Sequence, residues 1–384
     1  MMRVAWREEL RDLGRMVSAR WARRRLRGAL VRSLTLSLTY RCNARCEMCY
    51  CWKKDAGREK AREMSLEEID RLAASSYLRR LVALGLTGGE PFLYEPLPEV
   101  VEVFHRYHPP RYISLATNGF LPERTVQTVT TLLERFPTEL WVNVSLDGLD
   151  DLHNRIRGVP DVLPKTKRTL EALAALRSRY RQLGVGILFT LQPSNYEQLL
   201  PVFYYAREQQ VQFHLNPINC GEEYYERDAR GVFEEYRKIL PEIERQFRVL
   251  DRDCPEDLFG REFRALFRPY VLSGREPVIP CFAGVTNAFI NPYGEVFPCV
   301  PARRDFLLGD LKEESFDRLW ESDRAARVRR RIRQGVCKCL ITCETSTALR
   351  YQTAYQAKRI ARGLRRFLRI RGRAARKGGP EGEV

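Results

Sequence analysis

From about residue 33 the chain alternates short apolar runs with amphipathic stretches, and this alternation narrows the possible folds more than any other feature. Ser33 to Tyr40 (SLTLSLTY) reads as a strand. Further strands are expected at Leu81 to Leu86, Tyr112 to Ala116, Leu140 to Leu146, Val185 to Leu191 and Phe213 to Ile218. Helices are expected at Ser65 to Tyr77, Pro96 to His108, Pro122 to Phe136, Leu163 to Gln182, Tyr196 to Gln209 and Val232 to Phe247. Ser65 and Glu68 stand in capping-box spacing at the first of these. Strict strand–helix alternation argues an α/β fold with a parallel sheet covered by helices. The order alone does not separate an open sheet from a partial barrel. In either case ligands bind at the C-terminal ends of the strands. Residues 250 to 280 read as irregular.

Cysteine is the second constraint. The chain has 11, and most are clustered. A disulfide scaffold is excluded by size, since such scaffolds are short and secreted. Clustered thiols in a reducing compartment point to metal. Cys42, Cys46 and Cys49 form C-x3-C-x2-C in the loop after the first strand. Three thiolates on one loop can hold three irons of a [4Fe–4S] cubane and leave the fourth iron open for chemistry. The other reading of the same spacing is a zinc-binding or structural cluster loop. Cys51 falls outside the triad and reads as a buried thiol near it.

Further motifs occupy later strand ends in order. Gly88-Gly89-Glu90-Pro91 follows the second strand, Thr117-Asn118-Gly119 the third, and Ser145-Leu-Asp147-Gly148 the fourth. His153-Asn-Arg-Ile-Arg157-Gly158 comes next, and Thr190 and Asn195 flank the fifth strand's end. Together with the cysteine triad, this set resembles the radical S-adenosylmethionine (radical SAM) enzymes. The resemblance implies a partial (β/α)6, TIM-like barrel. It implies that Cys42, Cys46 and Cys49 bind a catalytic [4Fe–4S] cluster, and that the open iron chelates S-adenosylmethionine. It implies that Gly88, Gly89, Glu90, Pro91, Thr117, Asn118, Ser145 and Asp147 contact that cofactor. It also implies reductive cleavage to a 5′-deoxyadenosyl radical, hydrogen abstraction from a substrate, and an electron donor such as a flavodoxin or ferredoxin. No catalytic acid or base is assigned, and His105, His108, His153 and His214 each read as structural.

A second cysteine set follows. Cys281-x12-Gly294-x4-Cys299 resembles the opening of the SPASM or twitch extension found after many radical SAM cores, with Asn291-Pro-Tyr-Gly294 as a hairpin turn. Leu308 to Leu311 and Phe316 to Trp320 resemble its later portion, and Cys337, Cys339 and Cys343 add three thiols. A full domain of that kind has more ligand cysteines than these five, and the C-x-C-x3-C ending departs from the usual pattern. The resemblance therefore implies one auxiliary [4Fe–4S] cluster, built from Cys281, Cys299 and two or three of the last set. The alternative is a structural zinc site. The expected organisation is a basic amphipathic segment over 1–32, a core over 33–250, the cluster extension over 275–350 and a basic helical tail over 351–384.

The formal charge of +17 sits almost wholly at the two ends. Trp6, Leu10, Leu13, Val17 and Trp21 recur at near-helical spacing in the first segment, and Ile360, Leu364, Phe367 and Leu368 in the last. Three readings compete: helices packed on the core, peripheral contact with a membrane surface, and nucleic acid. The last is disfavoured because no aromatic reading surface accompanies the charge. No run approaches a membrane span, and the N-terminus is too charged for a signal peptide. A cytoplasmic enzyme, peripheral at the membrane in one reading, is expected. Its expected reaction is oxidative modification of a peptide or protein side chain. The alternatives are modification of a carbohydrate or lipid intermediate at the membrane surface, and a non-enzymatic iron–sulfur-stabilised binding protein. A peptide or small molecule is the expected substrate.

Overall fold

The computed structural model describes residues 14, 16–49, 51–53, 62–218, 229–273, 279–336, 339–358 and 361. Six strands, β1 (Ser33–Ser37), β2 (Ala83–Thr87), β3 (Tyr112–Thr117), β4 (Glu139–Ser145), β5 (Leu183–Leu191) and β6 (Gln212–Pro217), pair in parallel in sequence order. Sequential winding in one direction is the topology of a barrel. A doubly wound sheet would reverse its order at a switch point. The fold is therefore the expected α/β partial barrel.

Period-two burial explains why these segments are strands. In β4, Leu140, Val142 and Val144 are buried, while Trp141, Asn143 and Ser145 on the other face are half-buried. The covering helices are α1 (Leu66–Ala73), α2 (Leu97–Tyr107), α3 (Pro122–Arg135), α4 (Asp151–Arg157), α5 (Leu163–Leu176), α6 (Leu199–Glu208) and α7 (Ala229–Asp253). The capping box of α1 forms as expected, with Ser65 and Glu68 each bonded to the other's backbone. Helix α5 stops short of Gln182, where the Ser178 hydroxyl turns back on the Ala175 carbonyl.

Residues 250 to 280 are less irregular than expected. Asp257 caps α8 (Leu258–Ala265), and α9 (Phe267–Leu272) follows. Phe267 packs edge-on against Tyr236 and Phe247 of α7 at 5.3 and 5.4 Å. Aromatic packing of this kind is set by tertiary contact, which local pattern does not reveal.

The C-terminal segment extends the same sheet. β7 (Asn287–Ile290) lies parallel to β1, and β8 (Glu295–Phe297) and β9 (Gly309–Asp310) follow antiparallel. Then come α10 (Phe316–Glu321), α11 (Asp323–Arg333) and α12 (Thr342–Arg350). Residues 16–25 are helical and pack Met16 and Ala19 against Phe282, Leu349, Tyr351 and Tyr355 in a small second core. Val17 and Trp21 remain exposed. Trp6, Leu10, Leu13, Ile360, Leu364, Phe367 and Leu368 lie outside the described residues. Among the described residues no helix is long and apolar enough to cross a membrane.

Candidate functional site

Cys42, Cys46 and Cys49 lie together on the loop leaving β1, none of them in a disulfide. The end of α4 holds this loop: Arg45 N–H donates to Arg157 O and Glu47 N–H to Ile156 O, both at 2.9 Å. Gly158 ends α4 in the left-handed region at φ 65°, and a Cβ there would lie 2.3 Å from Arg45 O. Glycine is thus required twice over, for its backbone conformation and for the close approach. The thiols sense one another. Burial, with added repulsion from the neighbouring thiolates, pushes Cys42 up to about 12. Burial pushes Cys46 up to about 11, against the pull of Arg157. Metal ligation must therefore expel protons from this loop. Among the described residues no three His, Cys, Asp or Glu side chains converge on one metal ion. Three neighbouring cysteines on one loop fit a multi-iron cluster, in which each iron takes its own thiolate.

The strand-end motifs converge on that loop. Gly89 N–H donates to Thr39 O at 2.6 Å and Glu90 N–H to Arg41 O at 2.9 Å. A Cβ on Gly89 would lie 2.2 Å from Arg41 O, so Gly88-Gly89 lets the end of β2 pack flat on the cysteine loop. Glu90 is buried and accepts from Thr117 Oγ1 at 2.8 Å, Asn118 N at 2.8 Å and Phe92 N at 3.3 Å. Burial pushes its carboxyl up to about 7. Pro91 opens a short 3-10 turn after it. Asn118 donates through Nδ2 to Asn43 Oδ1 at 2.7 Å and reaches Cys42 Sγ at 4.0 Å. A buried carboxylate and an amide thus stand beside the thiols, ready for a cationic and hydrogen-bonding ligand. Asn43 had no sequence signal beyond lying inside the triad.

Ser145 ends β4, half-buried on the face opposite the covering helices. Asp147 is fully buried and is not free in the cavity. It forms an ion pair with Arg157 at 2.5 Å and accepts from Thr190 N at 2.9 Å. Asn195 Nδ2 donates to Asp147 O at 3.1 Å and Thr190 O at 3.0 Å. Asp147 N–H donates to His153 Nδ1 at 3.2 Å. Burial pushes His153 down to about 3, so this ring is a neutral acceptor and structural.

The second set is partly in view. Cys281, Cys299, Cys339 and Cys343 are half-buried and in no disulfide, and Cys337 lies outside the described residues. Cys343 is close enough to Cys281 for the two charges to repel, which adds to burial in pushing Cys343 up. The hairpin turn forms as expected: Asn291 Oδ1 accepts from Tyr293 N and Glu295 N at 3.0 Å each. Thr342, the first residue of α12, donates its N–H at 2.9 Å to Asn216 Oδ1 at the end of β6, so the last cysteines sit at the rim of the barrel. Arg23 Nε donates to Cys281 O at 2.9 Å, bringing the N-terminal helical segment to the same place.

The family model for the radical SAM superfamily matches residues 36–203, and that for an iron–sulfur cluster-binding domain (SPASM) matches 281–344. The chain is 23% identical over 295 residues to the antilisterial bacteriocin subtilosin biosynthesis protein AlbA of Bacillus subtilis, covering 75% of this chain and 59% of that protein. It is 37% identical over 124 residues to a probable GTP 3′,8-cyclase of Methanococcus maripaludis, covering 32% of this chain and 39% of the cyclase. The chain thus spans well under two thirds of either relative. Among solved structures, anSMEcpe with bound AdoMet and Cp18Cys peptide aligns with a TM-score of 0.56 at 20% identity, covering 87% of this chain and 99% of that one. Streptococcus suis SuiB bound to S-adenosylmethionine aligns with a TM-score of 0.50 at 16% identity, covering 83% and 67%. Those likenesses show the fold. The first domain brings with it a [4Fe–4S] cluster and S-adenosylmethionine, and the second brings auxiliary iron–sulfur chemistry. With both matches falling on the two cysteine sets, the chain belongs to the radical SAM superfamily and carries a SPASM domain behind its barrel.

Proposed function

We propose that this chain oxidatively modifies a peptide or protein side chain, using a barrel over 33–250 and a cluster domain over 275–350. One observation carries the reading: three cysteines on one loop, none in a disulfide, packed against the buried Glu90–Thr117–Asn118 network at the strand ends. Cys42, Cys46 and Cys49 would hold the catalytic [4Fe–4S] cluster. When bound, that cluster and S-adenosylmethionine supply reductive sulfonium cleavage and a 5′-deoxyadenosyl radical that removes a substrate hydrogen. Glu90 offers a carboxylate to the methionine ammonium, with Gly88, Gly89 and Pro91 setting its position. Thr117, Asn118 and Ser145 offer polar contacts nearby, while Asp147 acts from behind through its bonds to Thr190 and Arg157. Cys281, Cys299, Cys339 and Cys343, with Cys337, would hold one auxiliary cluster. A flavodoxin or ferredoxin would deliver the electron. Support for a peptide substrate comes from relatives: AlbA serves bacteriocin biosynthesis by name, and anSMEcpe is seen with bound peptide. Anaerobic reconstitution is expected to load about eight irons per chain for two cubanes and to give dithionite-dependent 5′-deoxyadenosine. A Cys42→Ala, Cys46→Ala, Cys49→Ala variant that still makes deoxyadenosine would refute the assignment.

A second reading has its own observation. Arg24 and Arg25 at the end of the N-terminal helix, Arg27 just after it, and Arg324, Arg327, Arg330 and Arg333 of α11 are all exposed. Arg333 Nη1 donates to Arg24 O at 2.8 Å, so the two sets adjoin. Trp21, 54% exposed, stands among them. This face suits an anionic membrane surface and hence a carbohydrate or lipid intermediate held there. Co-flotation with anionic but not neutral vesicles would favour it, and no flotation would remove it.

A further inference from the structure

One cation is buried beside the first cysteine loop. Arg157, the last residue of α4, has an 8% exposed side chain, and its terminal nitrogens reach two different anions. Nη1 donates to Cys46 Sγ at 3.6 Å, and Nη2 meets Asp147 Oδ2 at 2.5 Å. The Asp147 carboxylate also accepts from Thr190 N, and its backbone is held by Asn195 Nδ2 on its carbonyl and His153 Nδ1 on its N–H. The backbone carbonyl of Arg157 takes the Arg45 N–H, so backbone and side chain of one residue grip the loop at two points. The arginines on the loop itself, Arg41 and Arg45, are exposed, Arg45 lying over Trp52, where solvent screens their charge.

We infer that Arg157 and Asp147 form a buried charge pair that sets the reduction potential of the cluster at Cys42, Cys46 and Cys49, with Arg157 raising it through Cys46 and Asp147 restraining that effect. This rests on the assignment of those three thiols above. Reduction adds a negative charge to the cluster, and a cation donating to a ligand sulfur stabilises the reduced form. The carboxylate against the same guanidinium offsets much of its field. Removing the carboxylate leaves the cation less compensated, so the two substitutions act with opposite sign. In a low-dielectric site both effects are large compared with those of surface charges. A guanidinium is charged at every working pH. Lysine would keep the charge but lose the fork that reaches both partners.

The test is an EPR-monitored redox titration of the full chain, reconstituted without oxygen, following the cubane whose signal responds to added S-adenosylmethionine. Arg157→Gln is expected to shift its midpoint to lower potential and Asp147→Asn to higher. Arg157→Lys is expected to fall between Arg157→Gln and wild type. With iron content near wild type, unchanged midpoints or shifts of the same sign would overturn the inference and leave Arg157 as a brace for the loop. Where Arg157→Gln loads too little iron, Asp147→Asn decides: a raised midpoint supports the inference, and an unchanged or lowered one overturns it. A wild-type chain with no cluster responsive to S-adenosylmethionine would overturn the thiol assignment and this inference together.

Discussion

Glu90 Oε2 accepts the backbone N–H of Asn118 at 2.8 Å, tying the end of β2 to the end of β3 beside the cysteine loop. Glutamine in place of Glu90 removes the charge and presents a donor where donors already converge. S-adenosylmethionine binding by the reconstituted Glu90→Gln variant is expected to weaken at least tenfold, or about 1.4 kcal/mol. Equilibrium dialysis measures it, and unchanged affinity would remove Glu90 from the ligand site.

The same residue gives a pH dependence. Burial raises the Glu90 carboxyl from 4.5 to about 7, so the native chain binds a proton there that the unfolded chain has released. Although His153, held down to about 3, works in the opposite sense below 6.5, the Glu90 contribution to stability falls as pH rises from about 4.5 to 7, where native protons on it exceed unfolded ones, and levels off above. Glu344, raised likewise by burial, adds to the same slope. Anaerobic urea melts of metal-free protein across this range are expected to show a stability slope more negative in wild type than in Glu90→Gln, and equal slopes would count against a raised Glu90.

Gly158→Ala places a Cβ 2.3 Å from Arg45 O at a left-handed backbone position. The cost is expected to be about 1–3 kcal/mol, with lower iron loading because the cysteine loop must move. A thermal melt and an iron assay check both. Wild-type values in each would show that the loop tolerates the shift.

The two cysteine sets are expected to load independently. Cys281→Ala with Cys343→Ala should bring iron from about eight to about four per chain and leave some S-adenosylmethionine binding. Cys254→Ala, outside both sets, should change neither. Loss of all iron in the double variant would mean that the second site is needed to form the first.

Much of the first site was readable from the chain because each part is local. The cysteine triad, Gly88-Gly89-Glu90-Pro91 and Thr117-Asn118-Gly119 are contiguous, and parallel strand order brings their ends together without further information. Arg157 was not readable as a partner of Cys46. The two are 111 residues apart, and only the packing of α4 against the loop aims the side chain. The same holds for Asp147, whose place after β4 suggested a ligand contact while its partner was hidden. The basic patch on α11 was hidden for a related reason. α11 carries six arginines against Asp323, but acids elsewhere in the body balance them in any sum, and only tertiary structure sets them beside Arg24. The aromatic seam between α7 and α9 was half legible: Tyr236 and Phe247 fall on the periodic apolar face of α7, but the residue that covers them, Phe267, lies in a stretch that reads as irregular.

That α11 face makes a separate prediction. Arg324→Glu, Arg327→Glu and Arg330→Glu together reverse charge on exposed positions, each worth about 1 kcal/mol at an anionic surface. Any vesicle association of the wild type should vanish in this variant and weaken with salt, while its deoxyadenosine yield in detergent-free buffer stays unchanged. Vesicle binding that survives the triple reversal would place the membrane contact elsewhere.

β7 lies along β1, the strand that leads directly into Cys42. The SPASM domain is therefore not a detachable module hung on a linker. Expressing residues up to 280 alone would strip a hydrogen-bonded neighbour from the strand that carries the first metal loop and bare a sticky edge. For this chain the two iron sites are tied into one sheet, and neither half is a sound starting piece for domain shuffling.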